Sequence, residues 1–444
     1  MTDTLASIVL AAGRGTRMKS RLPKLLHTAC GRPLLAWSLG AVEPLGAAPA
    51  VVVIPPDEPA LAELVPGWAT PAVQHTARGT GDAVLAAREA LEGFAGDVLI
   101  LNADHPLIEA ETLEALRAAH RESGAAATLL TFERTATVGA DFGRIVRDGS
   151  GGVTAIVEVR DATPEQRAIA EVNSGYYVVR SDLLWSALDR VTDQNDQGEI
   201  YLTDIVGILH GDGERVHAHV HDDPLVAKGV NTRVDLSEAD AELRARINRR
   251  HQLDGVTIVD PATTFIEPTV RIEADAVIHP FTVLRGDTRI GAGAQVGPHV
   301  VAADATIGRD ALVGPFCYLR PGATLHDGAK AGTYVEIKNS VLGEGAKVPH
   351  LSYIGDAEIG SGTNIGAGAI TANYDGRSKQ RTVIGKDVHT SSHNVFVAPV
   401  TIGDGAWTAA GSVITDDIPP DALGVARAKQ TNIPGYGTRK RRQR

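Results

Sequence analysis

From residue 272 onwards an aliphatic or small side chain returns at every sixth position. Ile272, Ile278, Leu284, Ile290 and Val296 form one run; Ile307, Val313, Leu319, Leu325, Ala331 and Ile337 a second; Ile384, Thr390, Phe396, Ile402, Thr408 and Ile414 a third. An α-helix repeats at 3.6 residues and a strand at 2, so neither produces this period. One inward residue per six, with glycine often next in line (Ile290-Gly291, Val296-Gly297, Ile307-Gly308, Val313-Gly314, Ile402-Gly403), fits a parallel β-helix. Its three short faces would make one coil in about eighteen residues. The period slips near 302–307, 337–342 and 354–359, and ITANYDGRSKQRTV interposes a polar loop. Insertions in a solenoid map to loops, often on the binding face.

The 444 residues exceed what this repeat needs, and at roughly 150 residues per domain they predict two or three domains. Aromatic residues are only 4% and methionines only two, so the cores must be built from small and β-branched side chains. Cys30 and Cys317 stand far apart and form no C-x-x-C pattern, which argues against a zinc site or a disulfide framework and for a reducing cytoplasm. The first residues, MTDTLASIVLAAG, lack a basic flank and read as a strand rather than a signal peptide, and no run is long enough to span a membrane. A net charge of −11 disfavours a nucleic-acid partner.

Up to about residue 233, runs rich in Val, Ile and Leu alternate with amphipathic stretches: SIVLAAG, RPLLAWSLGAVEPL, AVVVIPP, GTGDAVLAAREALEG, DVLILNADHPLI. This predicts βαβ units around a mostly parallel sheet, with ligands beyond the carboxyl ends of the strands. Residues 234–252 place Leu236, Leu243 and Ile247 at helical spacing, with Asp235 and Glu238 as the expected capping box of a linking helix.

After the first strand comes LAAGRGTRM, then Leu22-Pro23-Lys24. Small residues there let backbone N–H groups approach an anion, and Arg17 and Lys24 can converge on phosphates. Gly13-x-Gly15 alone is a weak signal, since a dinucleotide fingerprint needs a third small residue where Met18 stands. Only ten of the 43 basic residues are lysines, which sharpens attention on Lys24 and Lys338.

The complete string resembles the signature of sugar-1-phosphate nucleotidyltransferases. With the hexapeptide half, nearly the whole chain is similar to the bacterial family of bifunctional N-acetylglucosamine-1-phosphate uridyltransferase and glucosamine-1-phosphate acetyltransferase. The resemblance implies a Rossmann-like α/β nucleotidyltransferase domain (1–233), a linker helix (234–252), a left-handed β-helix acetyltransferase domain (253–430) and a basic tail (431–444). It implies that Ala11, Ala12, Gly13, Lys24, Gln74, Gly79 and Thr80 hold UTP, with Arg17 and Lys24 neutralising its phosphates. Asp104 and Asn231 would hold Mg²⁺, and Gly143, Glu158, Asn173, Tyr201, Thr203 and Asn231 the N-acetylated sugar. A sugar phosphate oxygen would attack the nucleotide α-phosphorus in line, with positioning and charge neutralisation supplying most of the rate.

On the solenoid, acetylation of an amine needs a base near neutral pKa, because the ammonium must lose a proton before it attacks the thioester. By resemblance that base is His350, with Glu336 as its orienting partner. Arg320, Lys338, Tyr353, Asn364, Asn373 and Tyr374 would hold the amino-sugar phosphate, and Ala367, Ser392, Ala410, Arg427 and Lys429 acetyl-CoA. The resemblance also implies a homotrimer with acetyl sites between subunits.

The chain departs from the family pattern at Ala103 and His105, which flank Asp104, and at Asp82, which adds negative charge near the nucleotide. These positions bear on which base is accepted. A rival reading keeps the nucleotidyltransferase and makes the β-helix a scaffold or regulator; the converse keeps the acetyltransferase and lets the first domain drift in specificity. The tail, with Arg439, Lys440, Arg441, Arg442 and Arg444, is expected to be disordered rather than to reach the phosphates of CoA.

Overall fold

The computed structural model describes residues 4–135 and 138–443, and the chain divides into two compact units between Leu243 and Arg244. In the first unit, β1 (Leu5–Leu10) pairs in parallel with β2 (Ala50–Ile54), which pairs with β3 (Thr70–Val73). On its other side β1 pairs in parallel with β4 (Asp97–Asn102). β5 (Ala127–Glu133), the hairpin β6 (Arg144–Arg147) and β7 (Val153–Val157), β8 (Glu171–Arg180) and β9 (Val216–Val220) complete a nine-stranded sheet of order β9-β5-β8-β4-β1-β2-β3, with β6 joined to β8. β8 runs antiparallel to both neighbours while the remaining ladders of that path are parallel. The central strands are continuous apolar runs (Val51, Val52, Val53; Val98, Leu99, Ile100, Leu101) because helices cover both faces, and these side chains are fully buried. Met18 is buried in the core of one face, so its bulk in the loop after β1 serves packing.

The linking helix spans Arg233–Leu253 and contains the division between the units. Its capping box differs from the expected pair. Thr232 Oγ1 accepts from Asp235 N at 3.2 Å, and Asp235 Oδ2 accepts from Thr232 N at 2.7 Å and from Asn231 N at 3.0 Å. Asp235 is therefore the third helical residue reaching back to a threonine cap, while Glu238 pairs with Lys228 at 2.5 Å. The consequence for function is local: the cap clamps the backbone of Asn231.

The second unit is a left-handed parallel β-helix whose faces are sheets of six, nine and eight strands. Val283 pairs with Val301 and Val301 with Tyr318, one coil to the next. Every residue of the three runs spaced by six faces inward and is buried, from Ile272 to Ile414. Each slip of the period is a coil of seventeen residues, as where Gln295 pairs with Leu312. Corners take left-handed backbone, frequently at Asp (Asp275, Asp304, Asp310, Asp356, Asp387, Asp421) and, unusually, at Phe281, His299, Phe316 and Tyr334. Those four rings stack in succession at 4.8, 4.8 and 5.2 Å, which offsets the cost of the backbone conformation at bulky residues.

The tail differs from expectation within the described residues: Tyr436–Arg442 form a helix with every side chain exposed. Gly435, in the left-handed region, supplies the turn into it. Arg444 lies outside the described residues. Among the described residues no helix is long and apolar enough to cross a membrane.

Candidate functional site

In the first unit, the carboxyl ends of β1 and β4 meet the loop before the linking helix. Lys24 is buried and its ammonium donates to Asp104 Oδ2 at 2.5 Å and to Asn231 Oδ1 at 3.3 Å. Arg17 donates to the same Asn231 oxygen at 2.9 Å. Four residues from positions 17, 24, 104 and 231 thus form one charged cluster. Burial alone would raise the Asp104 pKa, but the charge of Lys24 and its hydrogen bond outweigh it and hold the carboxyl below its ordinary range. Val230 N donates to the Asp104 carbonyl at 2.9 Å, tying the Asn231 loop to the end of β4.

The phosphate-binding expectation places Arg17 and Lys24 on an anion; here both are engaged with Asn231 and Asp104. Ala11 and Ala12 are buried at the end of β1 and Gly13 is exposed beyond them. An added Cβ at Gly13 would meet nothing within 4 Å, so this loop leaves open space above the strand.

Gln74 and α2 (Thr80–Leu85; α1 is Leu34–Val42) form the opposite wall. Gln74 Nε2 donates to Asp82 Oδ2 at 2.8 Å and to the Gly79 carbonyl at 3.2 Å. Arg78 donates to Asp82 Oδ1 at 2.6 Å. The negative charge expected at Asp82 is balanced locally: its carboxylate is paired with the Arg78 guanidinium and orients the Gln74 amide. Gly79 has φ +115°, and a Cβ there would lie 2.6 Å from the Ile200 carbonyl oxygen. Both facts demand glycine. Thr80 Oγ1 accepts from Leu202 N at 3.0 Å, so this loop and the Tyr201-Thr203 segment are fastened together.

A cavity of about 190 Å³ lies beside this wall, lined among others by Thr80, His105, Gly143, Glu158, Asn173 and Thr203. Thr203 donates to Glu158 Oε1 at 3.3 Å, and Asn173 Nδ2 donates to the Tyr177 hydroxyl at 2.6 Å. Burial raises the Glu158 pKa despite the Thr203 hydrogen bond. The structure brings four of the expected sugar-binding residues to this cavity. Tyr201 is not among its lining; its hydroxyl accepts from Gln197 at 2.7 Å. Asn231 sits with Asp104.

In the β-helix, one face carries a second constellation. Arg320 and Lys338 occupy the ends of adjacent strands, followed by Gly355 one coil on. A Cβ at Gly355 would lie 2.5 Å from the Tyr353 hydroxyl, so glycine gives Tyr353 room to lie over the face. Asp356, at the left-handed corner that follows, accepts from Lys338 at 3.2 Å, from Asn339 at 2.6 Å and from Asn373. Burial pushes the Asp356 pKa up, but these three donors outweigh it and hold it low. The polar loop after Ala372 folds back, with Gln380 N donating to the Asn373 carbonyl at 2.8 Å. That turn brings Lys379 against Lys338, and the contact lowers the Lys379 pKa, with Arg320 adding to the effect. Asp356 and Lys379 were not singled out from sequence; the GD dipeptide at a coil corner and a lysine inside the only long polar insertion were the available signals.

Glu336 was expected to orient His350. It accepts instead from Arg320 at 2.9 Å, and among the described residues no hydrogen bond joins it to His350. The reason is register: Glu336 stands beside Tyr353 on one face, whereas His350 pairs with Thr333 on another. His350 is exposed, as are Tyr374, Ser392, Ala410, Arg427 and Lys429, with Asn364 and Ala367 half-buried. Asn364 and the strand of His350 share a face through the Lys347–Asn364 bridge. One chain therefore gathers Arg320, Lys338, Tyr353 and Asn373, while His350 and the residues expected at acetyl-CoA are distributed along the outside of later coils.

Two family descriptions match the chain: a MobA-like NTP transferase domain over residues 7–204 and a bacterial transferase hexapeptide model (six repeats) over residues 269–302. Among curated relatives, the bifunctional protein GlmU of Streptomyces avermitilis is 50% identical over 458 residues, 98% of this chain and 94% of that protein. Those of Thermobifida fusca and Mycobacterium tuberculosis (strain H37Ra) are each 48% identical over 98% of this chain, covering 94% and 92% of their own lengths.

Proposed function

The chain belongs to the family of the bifunctional protein GlmU and carries its uridyltransferase and acetyltransferase activities, and from that premise we propose how its residues divide the work. The substrates are glucosamine 1-phosphate, acetyl-CoA and UTP, and the end product is UDP-N-acetylglucosamine. Residues 1–233 perform uridylyl transfer, 253–430 acetyl transfer, and 431–444 neither.

In the first reaction His350 takes a proton from the amino-sugar ammonium, the freed amine attacks the thioester carbonyl, and CoA leaves as the thiol. The observation that carries this reading is the cationic group Arg320, Lys338 and Lys379 around Asp356 and Asn373, which suits a phosphate placed on the face. Tyr353, Asn364 and Tyr374 orient the sugar; Ala367, Ser392, Ala410, Arg427 and Lys429 bind acetyl-CoA. Because His350 and the CoA residues lie exposed on outer surfaces, a homotrimer that completes each site with a neighbour's face is the assembly that fits them. Cys30 and Cys317 form no disulfide, which agrees with a cytoplasmic enzyme.

In the second reaction a phosphate oxygen of N-acetylglucosamine 1-phosphate attacks the α-phosphorus of UTP and pyrophosphate leaves. Gln74, oriented by Asp82, reads the base, and Ala11, Ala12, Gly13, Gly79 and Thr80 shape the nucleotide pocket. Gly143, Glu158, Asn173, Tyr201 and Thr203 hold the sugar. Asp104 and Asn231 present a carboxylate and an amide oxygen, the donors a hard cation prefers, so Mg²⁺ fits them. When bound it supplies charge neutralisation on the phosphates. Lys24 and Arg17, already drawn to those two oxygens, turn to the phosphates when the nucleotide enters.

Mass spectrometry of products from Mg²⁺, acetyl-CoA, glucosamine 1-phosphate and each nucleoside triphosphate separately tests the assignment. UDP-N-acetylglucosamine from UTP alone is expected. Acetylated sugar phosphate without nucleotide sugar from UTP would contradict the assigned base.

A further inference from the structure

His105 fills a position that the division of labour above leaves without a task. It follows Asp104 directly and is 6% exposed. Its Nδ1 lies 3.0 Å from the Tyr176 hydroxyl, and that hydroxyl donates to the Val226 carbonyl at 2.9 Å. A carbonyl oxygen only accepts and a phenol has one proton. With that proton directed at Val226, the Tyr176 oxygen must accept from His105, so the imidazole proton is assigned to Nδ1. The two rings meet edge to face at 5.4 Å and 84°, which fixes the imidazole plane. Nε2 is left with its lone pair.

That lone pair faces Asp104 Oδ1 at 3.5 Å, the carboxylate oxygen that Lys24 does not hold. Two electron-rich atoms so placed, with no proton between them, repel unless a cation joins them. Asn231 is close by: an atom in the Cβ position of Gly229 would lie 3.1 Å from His105 Nε2 and 3.6 Å from the Asn231 amide nitrogen, while the amide oxygen is held by Arg17 and Lys24. A histidine that donates one ring N–H to a fixed acceptor and turns the other nitrogen to a carboxylate-lined site has the arrangement of a metal-binding imidazole.

We propose that His105 Nε2 is a further ligand of the divalent cation at the uridylyl site, giving a mixed nitrogen and oxygen donor set. This rests on the reading of Asp104 and Asn231 as cation ligands. An imidazole nitrogen is a softer donor than oxygen, so its presence favours the transition ions Mn²⁺ and Co²⁺ over the hard Mg²⁺ relative to a site of oxygen donors alone. Position 105 thereby becomes a determinant of which metal the first domain selects, while Tyr176 is a positioning residue that sets the tautomer.

The probe is Mn²⁺ added to the full-length chain, read by pulsed electron paramagnetic resonance for ¹⁴N coupling from a coordinated imidazole. Coupling is expected in the wild type and its loss in His105→Val, together with an approximately tenfold fall in the Mg²⁺ concentration needed to displace half the Mn²⁺. Bound Mn²⁺ without imidazole coupling in the wild type, or coupling that persists in His105→Val, overturns the proposal while leaving Asp104 and Asn231 in place. Mn²⁺ binding that is unchanged in Asp104→Ala, or that does not occur in the wild type, overturns the underlying reading as well. Should His105→Val fail to fold, His105→Asn must lose the imidazole coupling likewise, and coupling that persists there overturns the proposal.

Discussion

The proposed nucleotide pocket and the proposed acetyl-transfer face are built in opposite ways. The pocket draws residues 17, 24, 74, 104, 158, 173, 203 and 231 from distant parts of the chain, and most are hydrogen-bonded to one another before any ligand arrives. The solenoid face is assembled from neighbouring coils, and its Lys338, Asn339 and Asn373 side chains are cross-linked through Asp356. Its proposed base, His350, stands exposed. The first cluster is drawn together by long-range topology within one unit; the second is laid along a repeating surface, with its proposed base on the outside.

The largest effect that separates the two is removal of the chemistry. His350→Ala should lower acetyl transfer by about 10²–10⁴-fold, the usual contribution of a general base, and leave uridylyl transfer from N-acetylglucosamine 1-phosphate within twofold. Coupled-enzyme assays of each half-reaction check this, and equal loss of both would erase the distinction between the regions.

Next in size is Asp356→Ala. It leaves Lys338, Asn339 and Asn373 without their shared acceptor, so KM for glucosamine 1-phosphate should rise about tenfold or more, with kcat less affected. The pH dependence has a definite sign. The donors hold the folded pKa of Asp356 below its ordinary value near 3.9, so the cluster's stabilisation is present above that pH and fades as pH falls through the lower folded value. Acid unfolding followed by circular dichroism should show a shallower loss in Asp356→Asn; an unchanged acid limb would remove Asp356 from the centre of the cluster.

A smaller effect is expected from Asp82→Asn, which frees Arg78 and loosens Gln74. KM for UTP should rise several-fold and discrimination against other pyrimidine nucleotides should relax, measured by competition between triphosphates. The smallest is Gly355→Ala: Tyr353 must shift off the face, and acetyl transfer should fall a few-fold with uridylyl transfer untouched. A Gly355→Ala enzyme with wild-type acetyl kinetics would show that Tyr353 does not touch substrate.

The two regions also differed in how legible they were. Six-residue periodicity announces the coil, its inward residues and its slips, because each position repeats the same physical demand. The first domain's strands were visible for the same reason, as unbroken apolar runs. Asp356 and Lys379 were hidden because their importance arises from stacking between coils and from one loop's return, neither of which leaves a periodic trace. The pairing of Asp82 with Arg78 was not legible because the two meet only when the loop turns into a helix. Thr232 was overlooked as a cap because Asp235 and Glu238 repeat the same three-residue spacing one turn further on.

The central claim is that one chain carries two chemically independent sites, and mixing variants tests it most directly. Purified Asp104→Ala and His350→Ala proteins, each unable to convert glucosamine 1-phosphate, acetyl-CoA and UTP into UDP-N-acetylglucosamine, are combined and the product is followed by mass spectrometry. Recovery of product, with N-acetylglucosamine 1-phosphate accumulating when Asp104→Ala is alone, is the result predicted. No recovery, or no acetylated intermediate from Asp104→Ala, would contradict it.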